Sequence, residues 1–162
     1  MPSQPNQLKF IMITIEQIKE LRDRTGISIT QCQKALEEAN GDLNQALAFL
    51  KTKGAEIADK KSARELHAGL VSAYVHSNGQ LGALVQIHTE TDFVAKNSDF
   101  KNLADDLAMH VVAMNPAGEA ELLAQPFVKD PTLTIDDLVK NHIQKFGERI
   151  EIARFARLDT NN

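Results

Sequence analysis

The stretch LGALVQIHTETDFVAKNSDFKNLADDLAMHVVAMNP, residues 81–116, joins a strand pattern to a long helix pattern. Residues 81–88 are rich in branched apolar side chains and predict a strand. Apolar residues recur at helical spacing over residues 100–111, which predicts a helix capped by Ser98 and ended by Asn115-Pro116. A strand that leads into an amphipathic helix indicates a domain in which a sheet packs against helices.

The sequence on both sides of this stretch predicts the rest of the sheet. Residues 70–75 predict an earlier strand, and Asn78-Gly79 is the dipeptide that favours a tight hairpin turn. A capping pattern at Thr134 begins another helix, which Gly147 ends, and residues 149–158 alternate imperfectly as a closing strand. We therefore expect an α+β fold with a small antiparallel three-stranded sheet packed with helices.

The first part of the chain instead predicts three short helices. Thr14 and Ser28 open the first two helices with capping patterns, and Asp42 can cap the third. Gly26 and Gly54 are the predicted ends of the first and third helices. These helices together predict a compact three-helix bundle.

These patterns predict four segments. Residues 1–11 form a flexible extension that lacks the long apolar run of a signal peptide. Residues 12–54 form the helical bundle, and residues 55–68 form a charged linking helix. Residues 69–162 form the domain of sheet and helices.

Composition excludes several classes of function. The chain has 162 residues, of which 43% are hydrophobic and 25% charged, and its apolar runs are far shorter than the ~20 residues of a membrane-spanning helix. A net charge of −4 argues against nucleic acid as the main partner, because phosphate binding depends on clustered Lys and Arg. We therefore expect a cytoplasmic protein with neither a membrane nor a nucleic acid as its partner.

Few residues suggest covalent chemistry. The five histidines show no metal-ligand spacing, no glycine-rich phosphate loop occurs, and the single Cys32 lies on an apolar helical face that favours a core thiol. Glu90 and Asp92 could act as an acid and base pair, but no nucleophile or pocket signature accompanies them. We therefore expect no catalytic residue, no metal and no cofactor.

The connector after the second strand contains an adjacent apolar pair, Phe93-Val94, where polar turn residues are usual. One hypothesis is that one or both side chains pack beneath the loop. The other is that an exposed aromatic side chain fills a pocket in a partner. For Ile27, which lies in a turn between the first two helices, packing is favoured over partner contact.

Three segments resemble one protein family. They are LRDRTGISITQCQKALEEANGDLNQAL (residues 21–47), TDFVAKN (residues 91–97) and QPFVKDPTLTIDDLVKNHIQKFGERIEIARFAR (residues 125–157). On these segments the chain is identified as a member of the bacterial-type translation elongation factor Ts family, in its short form with a single core subdomain. The resemblance implies a ubiquitin-associated (UBA-like) amino-terminal bundle and a core domain of the dimerisation type.

The resemblance also implies a function. Members of this family are guanine nucleotide exchange factors that bind elongation factor Tu, in its GDP-bound and nucleotide-free forms, and promote GDP release without covalent chemistry. The TDFV turn would enter near the magnesium and phosphate site. Short members can also pair as homodimers through the core domain. The implied contact residues are Thr91, Asp92, Phe93 and Val94 in the core, and Arg22, Gly26, Ile27, Ile29 and Thr30 in the bundle.

Two qualifications apply to what the resemblance implies. Many members carry a Met pair where Ile29 and Thr30 stand, so the apolar contact of that loop is expected to be weaker or rearranged. The alternative function is a non-catalytic UBA-like protein-binding module, which would bind a partner without changing how long the partner holds its nucleotide.

Overall fold

The computed structural model describes residues 12–161 and shows an α+β protein. The predicted extension, residues 1–11, lies outside the described residues. The chain forms two compact units, one up to Thr52 and the other from Lys53 onward. Its elements are α1 (Ile15–Thr25), α2 (Ile29–Glu38), α3 (Leu43–Lys61), β1 (Ala68–Val75), β2 (Leu81–Thr89), α4 (Asp92–Ala95), α5 (Ser98–Met114), α6 (Glu119–Ala124), β3 (Pro126–Phe127), β4 (Asp130–Thr134), α7 (Ile135–Phe146) and β5 (Ile150–Asp159).

The first unit begins its helices where the sequence predicts. The Thr14 hydroxyl accepts the Gln17 N–H, and the Gln17 side chain accepts the Thr14 N–H, so α1 starts with a complete capping box. Gly26 ends α1 in the left-handed region at φ 69°. Ser28 caps α2, and the Asp42 carboxylate accepts a backbone N–H in the first turn of α3. The three predicted caps are confirmed.

The bundle has its own apolar core, in which Cys32 is fully buried. Burial raises the pKa of the Cys32 thiol, because it disfavours the thiolate. The thiol donates a weak hydrogen bond to the Ile27 carbonyl, at 3.6 Å. These observations confirm the interpretation of Cys32 as a core residue rather than a reactive one. The buried core residues are Leu21, Ile27, Cys32, Ala35, Leu36, Ala39, Ala46 and Leu50.

The third helix differs from the prediction. Gly54 does not end α3, which continues to Lys61, so the predicted linking helix over residues 55–68 is wrong in its extent. Gly54 is buried, and a Cβ at this position would lie 3.3 Å from the Gln144 side chain. The glycine is therefore explained by close packing inside the second unit rather than by a helix end. The domain boundaries stay a prediction.

The second unit contains the predicted antiparallel sheet, in the order β1-β2-β5. The hairpin between β1 and β2 contains Asn78-Gly79, with Gly79 at φ 72°, as predicted. α5 packs against β1 and β2, and its buried residues Phe100, Leu103 and Leu107 lie in the core of this unit.

Two details of the second unit were not predicted correctly. Asn97, not Ser98, caps α5, because its side chain accepts the Asp99 N–H at 2.8 Å while Ser98 is already helical. A second, two-stranded sheet joins β3 to β4 before Thr134 caps α7.

Across residues 12–161, none of the helices has the length and apolar character needed to span a membrane.

Candidate functional site

The connector after β2 forms a single helical turn. Thr91 has an extended backbone and caps α4, since its hydroxyl accepts the Val94 N–H at 3.4 Å. The turn is only four residues long, which is far too short to be stable as an isolated helix. Its order therefore depends on contacts with the rest of the second unit.

The apolar pair in this turn is divided between core and solvent. Val94 is 4% exposed and belongs to the core of the second unit, whereas Phe93 is 83% exposed. The structure therefore confirms that one side chain packs beneath the loop, and the adjacent ring lies in solvent, as the second hypothesis requires. An exposed aromatic residue on an ordered turn is the kind of group that anchors a protein interface. Asp92 and Thr91 are also exposed, so three of the four predicted residues are accessible and Val94 is not.

Glu148, which the sequence analysis did not single out, holds the base of this turn. Its carboxylate accepts the Thr91 N–H at 3.0 Å and the Thr91 hydroxyl at 2.6 Å. It also accepts the Thr89 hydroxyl at 2.9 Å. Glu148 is separated from Thr91 by 57 positions, so no local sequence pattern could have predicted this contact.

Glu90 has an equally specific structural role. Its carboxylate accepts the Arg149 N–H at 2.7 Å and the Arg64 guanidinium at 3.2 Å. Burial of Glu90 opposes its ionisation, but the Arg149 N–H and the charge of Arg64 outweigh that effect and lower its pKa. A carboxylate held in its charged form by the fold is poorly suited to act as a general acid with Asp92.

Two cavities lie in the second unit. A shallow cavity of about 380 Å³ is lined by residues 66–71 with Gln86 and His88, and another of about 280 Å³ is lined by residues 117–119 and 152–155. Glu90 and Asp92 line neither of these cavities.

His110 has a clear structural role. His110 is fully buried, its Nε2 lies 3.0 Å from the Gln125 side-chain oxygen, and the Val128 N–H donates to its Nδ1 at 3.2 Å. Burial lowers the pKa of His110 and of His142. Within the described part of the chain, His, Cys, Asp and Glu form no group of three or more suited to a metal ion.

The predicted contact loop of the bundle is also divided. Ile27 is 0% exposed and lies in the bundle core, which confirms the prediction that this side chain packs within the bundle. Arg22, Gly26, Ile29 and Thr30 are exposed. Four of the five contact residues predicted for the bundle are therefore exposed to solvent.

Among the described residues, one face of the three-stranded sheet carries exposed apolar side chains. Val71, Val75, Leu84 and Leu158 are exposed large apolar residues on β1, β2 and β5. Val75 on β1 and Leu158 on β5 both lie opposite Gly82 on the central strand β2, so these two side chains lie on the same face of the sheet. A contiguous exposed apolar face of this kind marks an interaction surface.

Comparisons with known proteins identify the family. Residues 90–162 match the sequence model of the family described as Elongation factor TS, and residues 15–55 match that of a UBA-like domain. The elongation factor Ts of Acetivibrio thermocellus is 37% identical over 193 aligned residues, which cover 91% of this chain and 90% of that protein. The chain belongs to the elongation factor Ts family. The corresponding proteins of Carboxydothermus hydrogenoformans and Herpetosiphon aurantiacus are each 38% identical and cover 91% of this chain, at 89% and 97% of their own lengths.

Membership of the elongation factor Ts family makes this chain a protein of translation elongation. The alignment with the Acetivibrio thermocellus protein is 193 positions long, which exceeds the 162 residues of this chain, so that relative carries residues that this chain lacks. The first two resembling segments contain the exposed bundle loop and the Phe93 turn.

Proposed function

We propose that this protein is a guanine nucleotide exchange factor for elongation factor Tu. It binds the GDP form and the nucleotide-free form, and it promotes GDP release without covalent chemistry. Family membership supports the partner and the activity. The observation that carries the proposal is Phe93, an 83% exposed ring on a turn that is anchored by buried Val94.

Exchange of this kind requires that factor and nucleotide weaken each other's binding in the ternary complex, by the same factor in both directions. Each ~1.4 kcal/mol of this antagonism changes the affinity about tenfold. Burial of an aromatic side chain in a partner's pocket contributes about 1.5 to 3 kcal/mol. If Phe93 gains this energy only when the magnesium and phosphate site is displaced, its insertion accelerates GDP release.

Asp92 and the bundle loop complete the proposed contact with elongation factor Tu. Asp92 is exposed beside Phe93 and places a carboxylate at the same turn. In the bundle, Arg22 and the exposed residues Gly26, Ile29 and Thr30 form a docking contact that adds affinity. Ile27 supports this loop from inside rather than touching the partner.

We also propose that the core domain pairs with a second copy of the chain. The uncovered sheet face is apolar at Val71, Val75, Leu84 and Leu158, and a two-fold related copy would cover it with the same residues. Leu84→Glu should convert a dimer into a monomer in sedimentation equilibrium. A wild-type chain that stays monomeric at all accessible concentrations would contradict this pairing.

Release of a fluorescent GDP analogue from a bacterial elongation factor Tu, followed by stopped flow, tests the exchange activity. We expect the wild type to accelerate GDP release. In the Phe93→Ala variant this acceleration should be about 10- to 100-fold smaller. Val128→Ala is the matched control, because it truncates another exposed apolar side chain of the same unit, outside the turn. The mechanism is wrong if Phe93→Ala exchanges nucleotide as fast as the wild type.

The alternative, a UBA-like binding module, gives a different result in the same experiment. It predicts stable complex formation, measurable by calorimetry, with no change in the rate of GDP release. The exposed bundle loop is the surface that favours this alternative, since it could bind a partner without help from the core domain.

A further inference from the structure

The pairing of β2 with β5 continues beyond its last backbone pair through side chains. That last pair is Thr89 with Ile150. In the same antiparallel register, the next positions place Glu90 opposite Arg149 and Thr91 opposite Glu148. Here the backbone N–H of Arg149 is bound by the Glu90 carboxylate and that of Thr91 by the Glu148 carboxylate. Two reciprocal hydrogen bonds from backbone N–H groups to carboxylates therefore replace backbone pairing where the two strands separate.

Glu148 determines the orientation of the residue that caps α4. Because the Thr91 hydroxyl donates to Glu148, its lone pairs are directed toward the Val94 N–H, which it accepts. Thr91 is held at its N–H and at its hydroxyl by the same carboxylate. The first turn of α4, with Phe93 on its outer side, is thus tied to the start of β5.

The position of Glu148 is itself fixed by the fold. Gly147 ends α7 in the left-handed region at φ 70°, which turns the chain sharply before Glu148. Ile150, two residues later, is buried in the core and pairs with Thr89. The carboxylate is therefore supported from both sides by ordered structure.

We propose that Glu148 is a positioning residue for the partner-binding turn, which it acts on through Thr91. The inference rests on the proposed function, since it assigns Glu148 the task of presenting Phe93 in the geometry that the partner binds. A turn that is already ordered loses less conformational freedom on binding, so its affinity is higher. Without Glu148 the partner would have to order the turn during binding.

The first experiment measures the order of the turn without any partner. Hydrogen exchange of the backbone amides of Val94, Ala95 and Lys96 is compared between wild type and Glu148→Gln. We expect these amides to exchange about tenfold faster in the variant, because charged hydrogen bonds are lost, while amides inside β2 and β5 keep their rates. Unchanged exchange at the turn would overturn the inference.

The second experiment connects Glu148 to Phe93. In the stopped-flow assay, Glu148→Gln should raise the concentration of factor that gives half-maximal acceleration about tenfold and leave the maximal rate unaltered. Glu119→Gln, which removes one exposed glutamate charge outside the turn, is the control and should match the wild type.

A double-mutant cycle separates positioning from general destabilisation. If Glu148 acts through Phe93, Glu148→Gln should change the half-maximal concentration by about twofold at most in the Phe93→Ala background. An undiminished tenfold effect in that background would overturn the inference. If the wild type does not accelerate GDP release at all, the proposed function fails, while the hydrogen-exchange comparison still decides whether Glu148 orders the turn.

Discussion

The loop of the bundle and the turn of the core domain have the same arrangement of apolar residues. Each carries two apolar residues close together in sequence, one buried and one exposed: Ile27 and Ile29 in the loop, Val94 and Phe93 in the turn. In both, the buried side chain anchors the backbone and the exposed one lies in solvent. Exposed apolar residues in these segments are therefore compatible with well-ordered backbone.

The two segments differ in what holds them. The bundle loop is stabilised by nearby residues: the Thr25 hydroxyl donates to the Leu21 carbonyl and accepts the Ile27 N–H. The turn of the core is held by Glu148, which is distant in sequence. The bundle loop thus forms together with its own two helices, whereas the turn requires the sheet to be complete.

The largest expected effect tests the buried anchor of the loop. Ile27→Ala should destabilise the bundle by about 2–5 kcal/mol, because it leaves a cavity in a small core. Ile29→Ala, at an exposed position, should change stability by about 0.5 kcal/mol at most. Hydrogen exchange of amides in α1 and α2 measures both. Equal losses for the two variants would contradict the division between anchor and contact.

The same comparison in the core domain should give a smaller difference. Val94→Ala removes fewer buried atoms and should cost about 1–3 kcal/mol in the free energy of unfolding of the second unit. Phe93→Ala should leave that free energy within about 0.5 kcal/mol. Urea denaturation of the full chain provides the measurement. A Phe93→Ala variant as unstable as Val94→Ala would mean that the ring packs against the fold.

Acid should weaken the bonds that the Glu90 carboxylate accepts from Arg149 and Arg64. Because the pKa of Glu90 is lowered in the folded state, its contribution is complete above the ordinary glutamate pKa of about 4.3 and is lost as the pH falls through the folded-state value. The bond to the Arg149 N–H is worth about 1 kcal/mol. Glu90→Gln should therefore lower stability at pH 6 and make it less dependent on pH between about 5 and 3. Identical pH profiles for variant and wild type would refute this role.

The smallest effect concerns the local bonds of the bundle loop. Thr25→Val keeps the shape of the side chain but removes the hydroxyl, and should cost about 0.5–1 kcal/mol because the Ile27 N–H loses its partner. Thr25→Ser retains the hydroxyl and should cost less than Thr25→Val. Hydrogen exchange at Ile27 reports the change directly. If Thr25→Ser is as damaging as Thr25→Val, packing rather than hydrogen bonding holds the loop.

The sequence predicted the elements well because their signals are local. Thr14, Ser28 and Asp42 lie within three residues of the amides they cap, and the Asn78-Gly79 turn needs only its own backbone. The apolar spacing of α5 likewise depends on a single helix. Gly54 was misinterpreted because a glycine can serve either as a helix end or as a site of close packing, and only the neighbour Gln144 distinguishes the two.

The candidate site could be predicted only in part. The Phe93-Val94 pair was conspicuous in sequence, but which of the two faces solvent depends on the direction in which the turn leaves β2. Glu148 gave no signal, because a glutamate after a helix-ending glycine is ordinary in isolation. Its role appears only when β5 lies beside β2.

By itself, the sequence determined the fold class, the caps of the first three helices, the strands of the three-stranded sheet, and the segments that place the chain in the elongation factor Ts family. The caps and the apolar patterns depend on residues within a few positions of one another. Their hydrogen bonds and periodicity are therefore independent of the rest of the chain. The tertiary structure alone decided that Val94 is buried, that Phe93 is exposed and that Glu148 holds Thr91. Burial and long-range hydrogen bonds exist only after distant segments have packed together, so they are properties of the assembled fold.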